Sequence, residues 1–540
     1  MTPTPILEER PGLDPITVEV IGAALASIVD ETGETLIRSS YSTNIKERRD
    51  CSTALFSAEG ETLCQAEHIP IHLGSFIGIV PHIMRRHRVE DMRPGDVFIA
   101  NDAYEGGGTH LPDIVIAEPI FFEDALVAWT VNLAHHADFV DRGHAHIYQE
   151  GLRIPPVHLY RAGVLLDDVQ ELILLNCQVP HERLSDLRAQ MAANRVGVQR
   201  FQSLCAKYGA EVVIEAGRQL LDYAERKMRA GIAALPDGTW RFNDVFESSE
   251  FEGIFPLSIE VTVLGDEIML NFEAPDQVRS SLNVTYTALL ATVYYIVKSI
   301  VDPTVLPNAG LSRPITVNAR EGSILNCVHP AAVEGRLAAC QRVADMVLGA
   351  MAQAVPERVT ACSNSSCGYA IFSGQSATGD FWVYLETIGG GNGARATKDG
   401  LDGVQVHATN TSNLPVEALE PEYPITVLRY ELIPDSGGLG RQRGGMGIRR
   451  VYRADADVSA QAGVSRVHSS SWGLAGGGPG ARGHIEGANG LDFTGRLIDI
   501  EAGDTFAIQT PGGGGVGDPR ERSAEAIARD LAEGVVGPRM

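Results

Sequence analysis

Hydrophobic positions near the start of the chain follow the periodicity of an amphipathic helix. Apolar residues recur mostly at intervals of three and four, which predicts a helix over 15–37. Residues 51–64 then predict two short strands around a turn at Glu59-Gly60. A further helix is predicted over 72–86. Helices and strands are therefore mixed from the beginning of the chain.

Three short apolar runs further along predict strands. They cover residues 97–100, 114–122 and 126–133, and polar clusters follow the first and the last run. A long helical pattern then extends over 180–235, with a break near Tyr208-Gly209. Functional side chains often lie where a rigid element ends, so the two polar clusters are the first places to search for chemistry.

The second half of the chain changes from helix and strand patterns to a glycine-rich pattern. Strand patterns fill much of 240–272, and helices are predicted over 282–301 and 338–355. After residue 360 dense glycines indicate tight turns and close backbone approaches. Because strands and helices do not alternate regularly, we predict an α+β, multi-domain fold with interlocked mixed sheets.

The same patterns divide the chain into six expected segments. These are an N-terminal arm (1–14), a metal-site α/β region (15–179), a helical region (180–235), an α+β region (236–360), a glycine-rich β region (361–522) and a C-terminal tail helix (523–540). At about 150 residues per domain, 540 residues correspond to about three or four domains.

Charge and composition exclude several classes of protein. The chain has 44 Lys and Arg against 69 Asp and Glu, a formal charge of −25, so its field repels nucleic acid. The apolar share of 44% excludes wholesale disorder. The longest apolar stretches, such as 288–297, are shorter than the roughly 20 residues that span a bilayer. With no signal-peptide pattern and no C-x-x-C among eight cysteines, we expect a soluble cytoplasmic protein with no membrane partner.

Histidine and aspartate are concentrated in the two clusters that follow the strand candidates. The titratable residues of interest are Asp102, His110, Asp113, His135, His136 and Asp138. Imidazole and carboxylate together are ligands of Zn²⁺, Mn²⁺ and Fe²⁺, and the lack of cysteine favours Mn²⁺ or Zn²⁺. The alternative is a set of hydrogen-bonded loop residues without an ion. Burying several such groups is costly unless they are paired or bind metal, which favours the metal site.

No motif for nucleotide binding accompanies these clusters. The glycines at 106–108 and 389–393 do not fit G-x-x-x-x-G-K-[ST], and no dinucleotide fingerprint is present. Tight turns explain both glycine runs. The basic pair Arg48-Arg49 is interpreted as solvated or ion-paired.

Seven stretches of the chain match motifs of one known family. They are residues 45–52, 65–74, 101–113, 134–138, 150–156, 386–391 and 510–519. Together they resemble the hydantoinase B/oxoprolinase family over nearly the whole chain. That family includes subunits of ATP-dependent cyclic amidases and of ATP-dependent ketone carboxylases.

The resemblance implies a heteromeric enzyme. A larger hydantoinase A-type partner would carry ATP and Mg²⁺ in an actin-like site, and this chain would carry a divalent metal, Mn²⁺ or Zn²⁺. The ligands carried over by the resemblance are Asp50, His110, Asp113 and His135. His136 and Asp138 would be the catalytic proton acceptors. Asp102 would lie next to the metal ligands and orient them.

The chemistry that follows from the resemblance has several alternatives. The first is opening of a cyclic amide, such as a hydantoin, lactam or oxoproline ring, by the metal-binding subunit of an ATP-dependent hydrolase. The second is carboxylation of a ketone. The third is a non-catalytic scaffold subunit, and the fourth is a metallohydrolase that works without ATP.

Overall fold

The computed structural model describes most of the chain. The described ranges are 12–66, 69–72, 76–105, 108–137, 145–249, 251, 253–376, 378–487 and 497–537. The helices labelled within these ranges are α1 (Pro15–Ser39), α2 (Thr43–Lys46), α3 (Ile79–Arg86), α4 (Asp167–Leu175), α5 (Pro180–Tyr208), α6 (Ala210–Ala233), α7 (Tyr286–Val301), α8 (Leu337–Met351), α9 (Val416–Glu422) and α10 (Ala524–Ala532).

The first layer is a seven-stranded antiparallel sheet with strand order β2-β1-β5-β4-β3-β6-β7. Its strands are β1 (Cys51–Ser57), β2 (Thr62–Gln65), β3 (Val97–Ala100), β4 (Asp113–Phe122), β5 (Ala125–His135), β6 (Val157–Arg161) and β7 (Val164–Leu165). The strands predicted over 51–64, 97–100, 114–122 and 126–133 are confirmed. The central strands are buried on both faces, as their unbroken apolar runs require.

Helices α1, α5 and α6 cover one face of this sheet. Helix α5 contacts β4 and β5 through buried amides as well as apolar side chains. Gln190 donates to the carbonyl of Ile114 at 2.9 Å, and Asn194 donates to that of Ile116 at 3.1 Å. The predicted helical region therefore packs on the first sheet. It breaks at Gly209, whose φ of 87° is the left-handed conformation that glycine adopts easily.

A second sheet has strand order β11-β10-β9-β8 and packs against α7 and α8. Its strands are β8 (Gly238–Phe246), β9 (Phe255–Leu264), β10 (Glu267–Glu273) and β11 (Ile315–Ala319). Helix α7 begins at Tyr286, four residues later than predicted, because the Thr285 side chain caps it by accepting from the Ala288 amide. Helix α8 is buried from Ala338 to Met351 and forms the centre of the largest core.

The third and fourth sheets face each other across a common core in the C-terminal part. The third sheet, in the order β13-β12-β16-β18, contains β12 (Gly368–Gln375), β13 (Phe381–Ile388), β16 (Val458–Gly463) and β18 (Ile498–Ile500). The fourth, in the order β14-β15-β19-β17, contains β14 (Ile425–Leu432), β15 (Ile448–Ala454), β17 (His484–Gly487) and β19 (Thr505–Gln509).

Glycine segments pack backbone to backbone beside these two sheets. Gly513 donates its amide to the Gly445 carbonyl at 2.9 Å and accepts from Gly438 at 2.8 Å. A Cβ on Gly444 would collide with the carbonyl of Gly513. The predicted close backbone approaches are therefore confirmed, and so is the α+β class with several sheets and a glycine-rich, β-dominated C-terminal part.

The helix predicted over 72–86 is confirmed over Ile79–Arg86, and residues 73–75 of its first part lie outside the described residues. Directly before Ile79, Gly78 has a φ of 89°, which interrupts helical geometry at that point. The six segment boundaries stay a prediction, and residues 1–11 of the expected arm lie outside the described residues. No helix in the described ranges is long and apolar enough to cross a membrane.

Glu118 gives the fold a testable pH dependence. It is buried in β4, and burial raises the pKa of its carboxyl from 4.5 to about 7, partly offset by Arg195. The unfolded chain therefore loses this proton at lower pH than the folded chain, and stability falls between pH 4.5 and about 7. Glu118→Gln cannot ionise, so it should raise the unfolding free energy at pH 8 by on the order of 3 kcal/mol.

Unfolding of the variant and the wild type by urea at pH 8 and at pH 4.5 measures this effect. The gain should disappear at pH 4.5, and the exposed Glu123→Gln serves as the control. An equal gain at both pH values would show that ionisation of Glu118 is not its cause.

Candidate metal centre

The sheet register brings two of the predicted ligands together. Asp113 is the first residue of β4 and His135 is the last of β5, and the two lie opposite each other in the antiparallel pair. His110 precedes β4 in a turn closed by the Asp113 amide, which donates to the His110 carbonyl at 3.2 Å. All three side chains therefore meet at one end of the first sheet.

Their three nearest polar atoms form a small triangle. His110 Nε2 lies 3.0 Å from Asp113 Oδ1 and 3.1 Å from His135 Nδ1, and the last two atoms are 3.3 Å apart. Ligands about 2.0–2.2 Å from a shared ion at tetrahedral or octahedral angles are separated by about 3.0–3.5 Å. The observed triangle fits a divalent metal, and these residues form the candidate metal group among the described residues.

Electrostatics favours the ligand forms of these groups. Burial lowers the pKa of His110 to about 3, and Arg336 contributes to the lowering, so the imidazole is neutral at neutral pH. Burial alone would raise the pKa of Asp113, but His110, His135 and Arg336 hold it well below its usual range. The far ring nitrogens, His110 Nδ1 and His135 Nε2, are buried without a hydrogen-bond partner in the described part of the chain. Both rings therefore make their close polar contacts at the triangle.

Glycine and asparagine shape the loop that carries His110. Gly108 has a φ of 89°, and a Cβ there would lie 2.7 Å from the Asp113 Cβ, so a larger residue would displace the ligand. Asn101 donates to the carbonyls of Leu111 and Leu152, both at 2.9 Å, and ties the two ends of the loop together. Gly106 and Gly107 lie outside the described residues.

Arg336 supports the centre from a distant part of the chain. Its Nη2 donates to Asp113 Oδ2 at 3.1 Å, and its Nε donates to Thr109 Oγ1 at 2.6 Å. Arg336 is 1% exposed and immediately precedes α8. It thereby turns Oδ1 of Asp113 towards the two histidines. Sequence reasoning missed this residue because no local motif surrounds it.

Asp50, the fourth predicted ligand, lies next to the triangle. It precedes β1, and its carbonyl accepts from the His135 amide at 3.0 Å. Its Oδ1 is 3.9 Å from Nε2 of His72, a buried histidine that lies 4.0 Å from Asp113 Oδ1 and contacts Ser52 Oγ through Nδ1 at 2.9 Å. Sequence reasoning did not single out His72, although it lies inside one of the family-like stretches.

The other predicted site residues do not join the triangle. His136 points to α5, where its Nε2 contacts Gln190 Oε1 at 3.1 Å, and burial lowers its pKa to about 3. Asp102 accepts from Arg153 at 2.7 Å and from the Tyr104 amide at 3.1 Å. Asp138 lies outside the described residues. The roles given to these three residues stay predictions.

A cavity of about 100 Å³ opens beside the triangle. Its lining contains His72, the triangle and Asp50, together with residues of the second and third sheet regions. Arg48 also lines it, which corrects the interpretation of this residue as solvated. Its guanidinium is 1% exposed and donates to the Leu385 carbonyl at 2.8 Å and to Thr387 Oγ1 at 3.1 Å.

Comparison with known proteins identifies the family. A family model described as hydantoinase B/oxoprolinase matches residues 14–519. The chain belongs to this family. The predicted resemblance is thereby confirmed across nearly the whole sequence.

Three relatives in this family align over almost their whole length. An uncharacterized protein of Methanocaldococcus jannaschii is 36% identical and covers 96% of this chain and 94% of its own. A protein of Pseudomonas sp. (strain NS671), named for the B-type component of a D-/L-hydantoinase, is 33% identical, with 97% and 93% covered. The beta chain of the caprolactamase of Pseudomonas jessenii is 31% identical, with 97% and 94% covered.

Two solved structures share the fold. The ATP-dependent caprolactamase from Pseudomonas jessenii superposes with a TM-score of 0.87 at 29% identity, covering 97% of this chain and 95% of that chain. Acetone carboxylase in a nucleotide-free structure has the same TM-score at 19% identity, covering 97% of this chain and 78% of that chain. At this lower identity the likeness shows the fold alone.

His110→Ala tests the triangle directly. Removing one of three protein ligands should reduce the bound divalent metal to about a tenth of the wild-type content or less. Elemental analysis of the purified chain measures it, with His136→Gln as the matched control, because that histidine is equally buried but contacts α5. An unchanged metal content in His110→Ala would remove this residue from the ligand set.

Arg336→Met tests the support behind Asp113. Loss of a residue that orients a metal ligand typically weakens metal affinity by about 10–100-fold, and we expect an effect of this size. Competition against a metal-binding dye gives the affinity, and Arg336→Lys should recover part of it because it restores the positive charge. Wild-type affinity in Arg336→Met would contradict the role of this ion pair.

Proposed function

We propose that this chain is the metal-binding subunit of an ATP-dependent enzyme that opens a cyclic amide by hydrolysis of its C–N bond. The observation that carries the proposal is the triangle of His110, Asp113 and His135 in the lining of a cavity. Family membership supports the reaction class, because two of the relatives named above are components of a hydantoinase and of a caprolactamase.

The partner in this proposal is a hydantoinase A-type subunit that binds ATP and Mg²⁺. Two relatives are named as one of several components of their enzymes, which supports an assembly of unlike chains. The related solved caprolactamase is ATP-dependent, whereas this sequence contains no Walker lysine motif. ATP chemistry is therefore assigned to the partner.

The residues of this chain would hold Mn²⁺ or Zn²⁺ through the triangle, with Asp50 as a fourth ligand. A divalent ion in such a site polarises a carbonyl oxygen or lowers the pKa of water to about 7. Asp113 is fully buried and its charge is balanced by Arg336, whereas the Asp50 side chain is 13% exposed. We therefore assign Asp113 to fixing the ion and Asp50 to the side of the site that faces the substrate.

The cavity orients the ring and excludes bulk water. An amide oxygen placed at the triangle lies beside Asp50 and His72, which also line the cavity. Asp138 and His136 are retained as the proposed proton acceptors. Gln190 contacts the Nε2 of His136, so Nδ1 would be the accepting atom of this residue.

The complex of this chain with its A-type partner tests the proposal. Ring opening of a hydantoin or lactam should require both chains and ATP, and His110→Ala should lower its rate by about 100-fold or more. ATP binding by the partner should survive that substitution. Product analysis by mass spectrometry and a nucleotide-binding assay measure the two properties.

Three results would contradict the proposal. Hydrolysis by this chain alone without ATP would indicate a metallohydrolase that needs no partner. Incorporation of labelled bicarbonate into the product would indicate a carboxylase. Full activity of the His110→Ala complex would indicate a scaffold role for this chain.

A further inference from the structure

The third sheet contributes several of the residues that line the cavity. One face of this sheet forms part of the cavity wall, since side chains two residues apart on a strand point to the same side. Ile371 on β12 lies opposite Leu385 on β13 and opposite Gln461 on β16. These three residues line the cavity together.

Apolar side chains make up a large part of the cavity lining. Besides Ile371 and Leu385, the lining contains Ile69, Ile71 and Leu337, which lie outside the third sheet. Leu385 and Leu337 are only half-buried in the chain, so part of their hydrocarbon surface remains for a ligand. A molecule bound in the cavity therefore also contacts hydrocarbon.

The cations that line the cavity are already engaged. Arg336 donates to Thr109 and Asp113, and Arg48 donates to Leu385 O, Thr387 Oγ1 and, at 2.5 Å, to Asn44 Oδ1. The Arg48 Nε has no partner among the described residues, but it is inaccessible to solvent. No lysine lines the cavity in the part of the chain that the structure describes.

Carboxylates outnumber these cations in the wall. The acidic residues are Asp50, Asp113 and Glu334. In the proposed function the amide lies at the divalent ion, so a second, anionic group on the ring would meet hydrocarbon, an arginine that is already engaged, or a carboxylate. Transferring an unpaired carboxylate from water to such a surface is strongly unfavourable.

We infer that the substrate is an uncharged cyclic amide whose hydrocarbon side packs on Ile371 and Leu385, and that a ring bearing a carboxylate is excluded. The inference rests on the proposed function, because it places the amide group at the triangle.

A matched pair of substrates tests the inference. 2-Pyrrolidone and 5-oxoproline have the same ring and differ by the carboxylate, so kcat/KM of the two-chain complex with ATP isolates its effect. We expect 2-pyrrolidone to be preferred by about 100-fold or more, since an unpaired charge must otherwise be buried. Each further ring methylene, as in valerolactam and caprolactam, should add up to about fourfold.

Substitutions of residues in the cavity wall provide a second test of the inferred substrate preference. Leu385→Ala should reduce the preference for caprolactam over 2-pyrrolidone by about tenfold, mainly through KM, because it removes about three buried carbon atoms. Leu385→Arg should raise the use of 5-oxoproline relative to 2-pyrrolidone by offering an unpaired cation. Leu428→Ala, an exposed leucine on β14, should change neither ratio.

The outcomes separate this inference from the proposed function. Equal or better turnover of 5-oxoproline would overturn the inference and leave ring opening intact. If no ring is opened, the proposed function fails. The preference for an uncharged ring is then tested by calorimetry of ligand binding to the metal-loaded complex. Tighter binding of 2-pyrrolidone than of 5-oxoproline would support the inference, and the reverse order would overturn it.

Discussion

The central constraint on this structure is that three potential metal-ligand atoms lie close together in one buried site. His110 Nε2, His135 Nδ1 and Asp113 Oδ1 lie 3.0–3.3 Å from one another in a site that solvent scarcely reaches. Two imidazole nitrogens and a carboxylate oxygen at such distances have the chemistry and spacing of ligands to one divalent cation, which is the basis of the proposed function.

Several other parts of the fold hold these three side chains in place. The β4–β5 register fixes Asp113 opposite His135, and a glycine turn brings His110 to them. Arg336 reaches Asp113 from the start of α8, whereas Arg48 connects the strand end near Asp50 to the third sheet. Because segments more than 200 residues apart close one cavity, the regions of the chain are interlocked.

Local patterns were sufficient to predict much of this arrangement, and the reasons are physical. Apolar runs predicted β3, β4 and β5, and the concentration of His and Asp after these runs pointed to a shared ion because burying such groups is costly unless they are paired or bind metal. Long-range partners were not predictable in the same way. Arg336 and the apolar wall at Ile371 and Leu385 depend on how distant sheets pack, and no periodicity records that. Gly78, whose backbone φ of 89° is not helical, interrupts the pattern predicted over 72–86 directly before Ile79, because backbone conformation overrides the apolar periodicity there.

A crystal structure of the purified chain with anomalous diffraction recorded at the Mn and Zn edges is the most direct test. The account predicts one anomalous peak about 2.0–2.2 Å from His110 Nε2, Asp113 Oδ1 and His135 Nδ1. No peak at that position under metal-replete conditions, with the two imidazoles bridged only by a proton or turned away from each other, would contradict it.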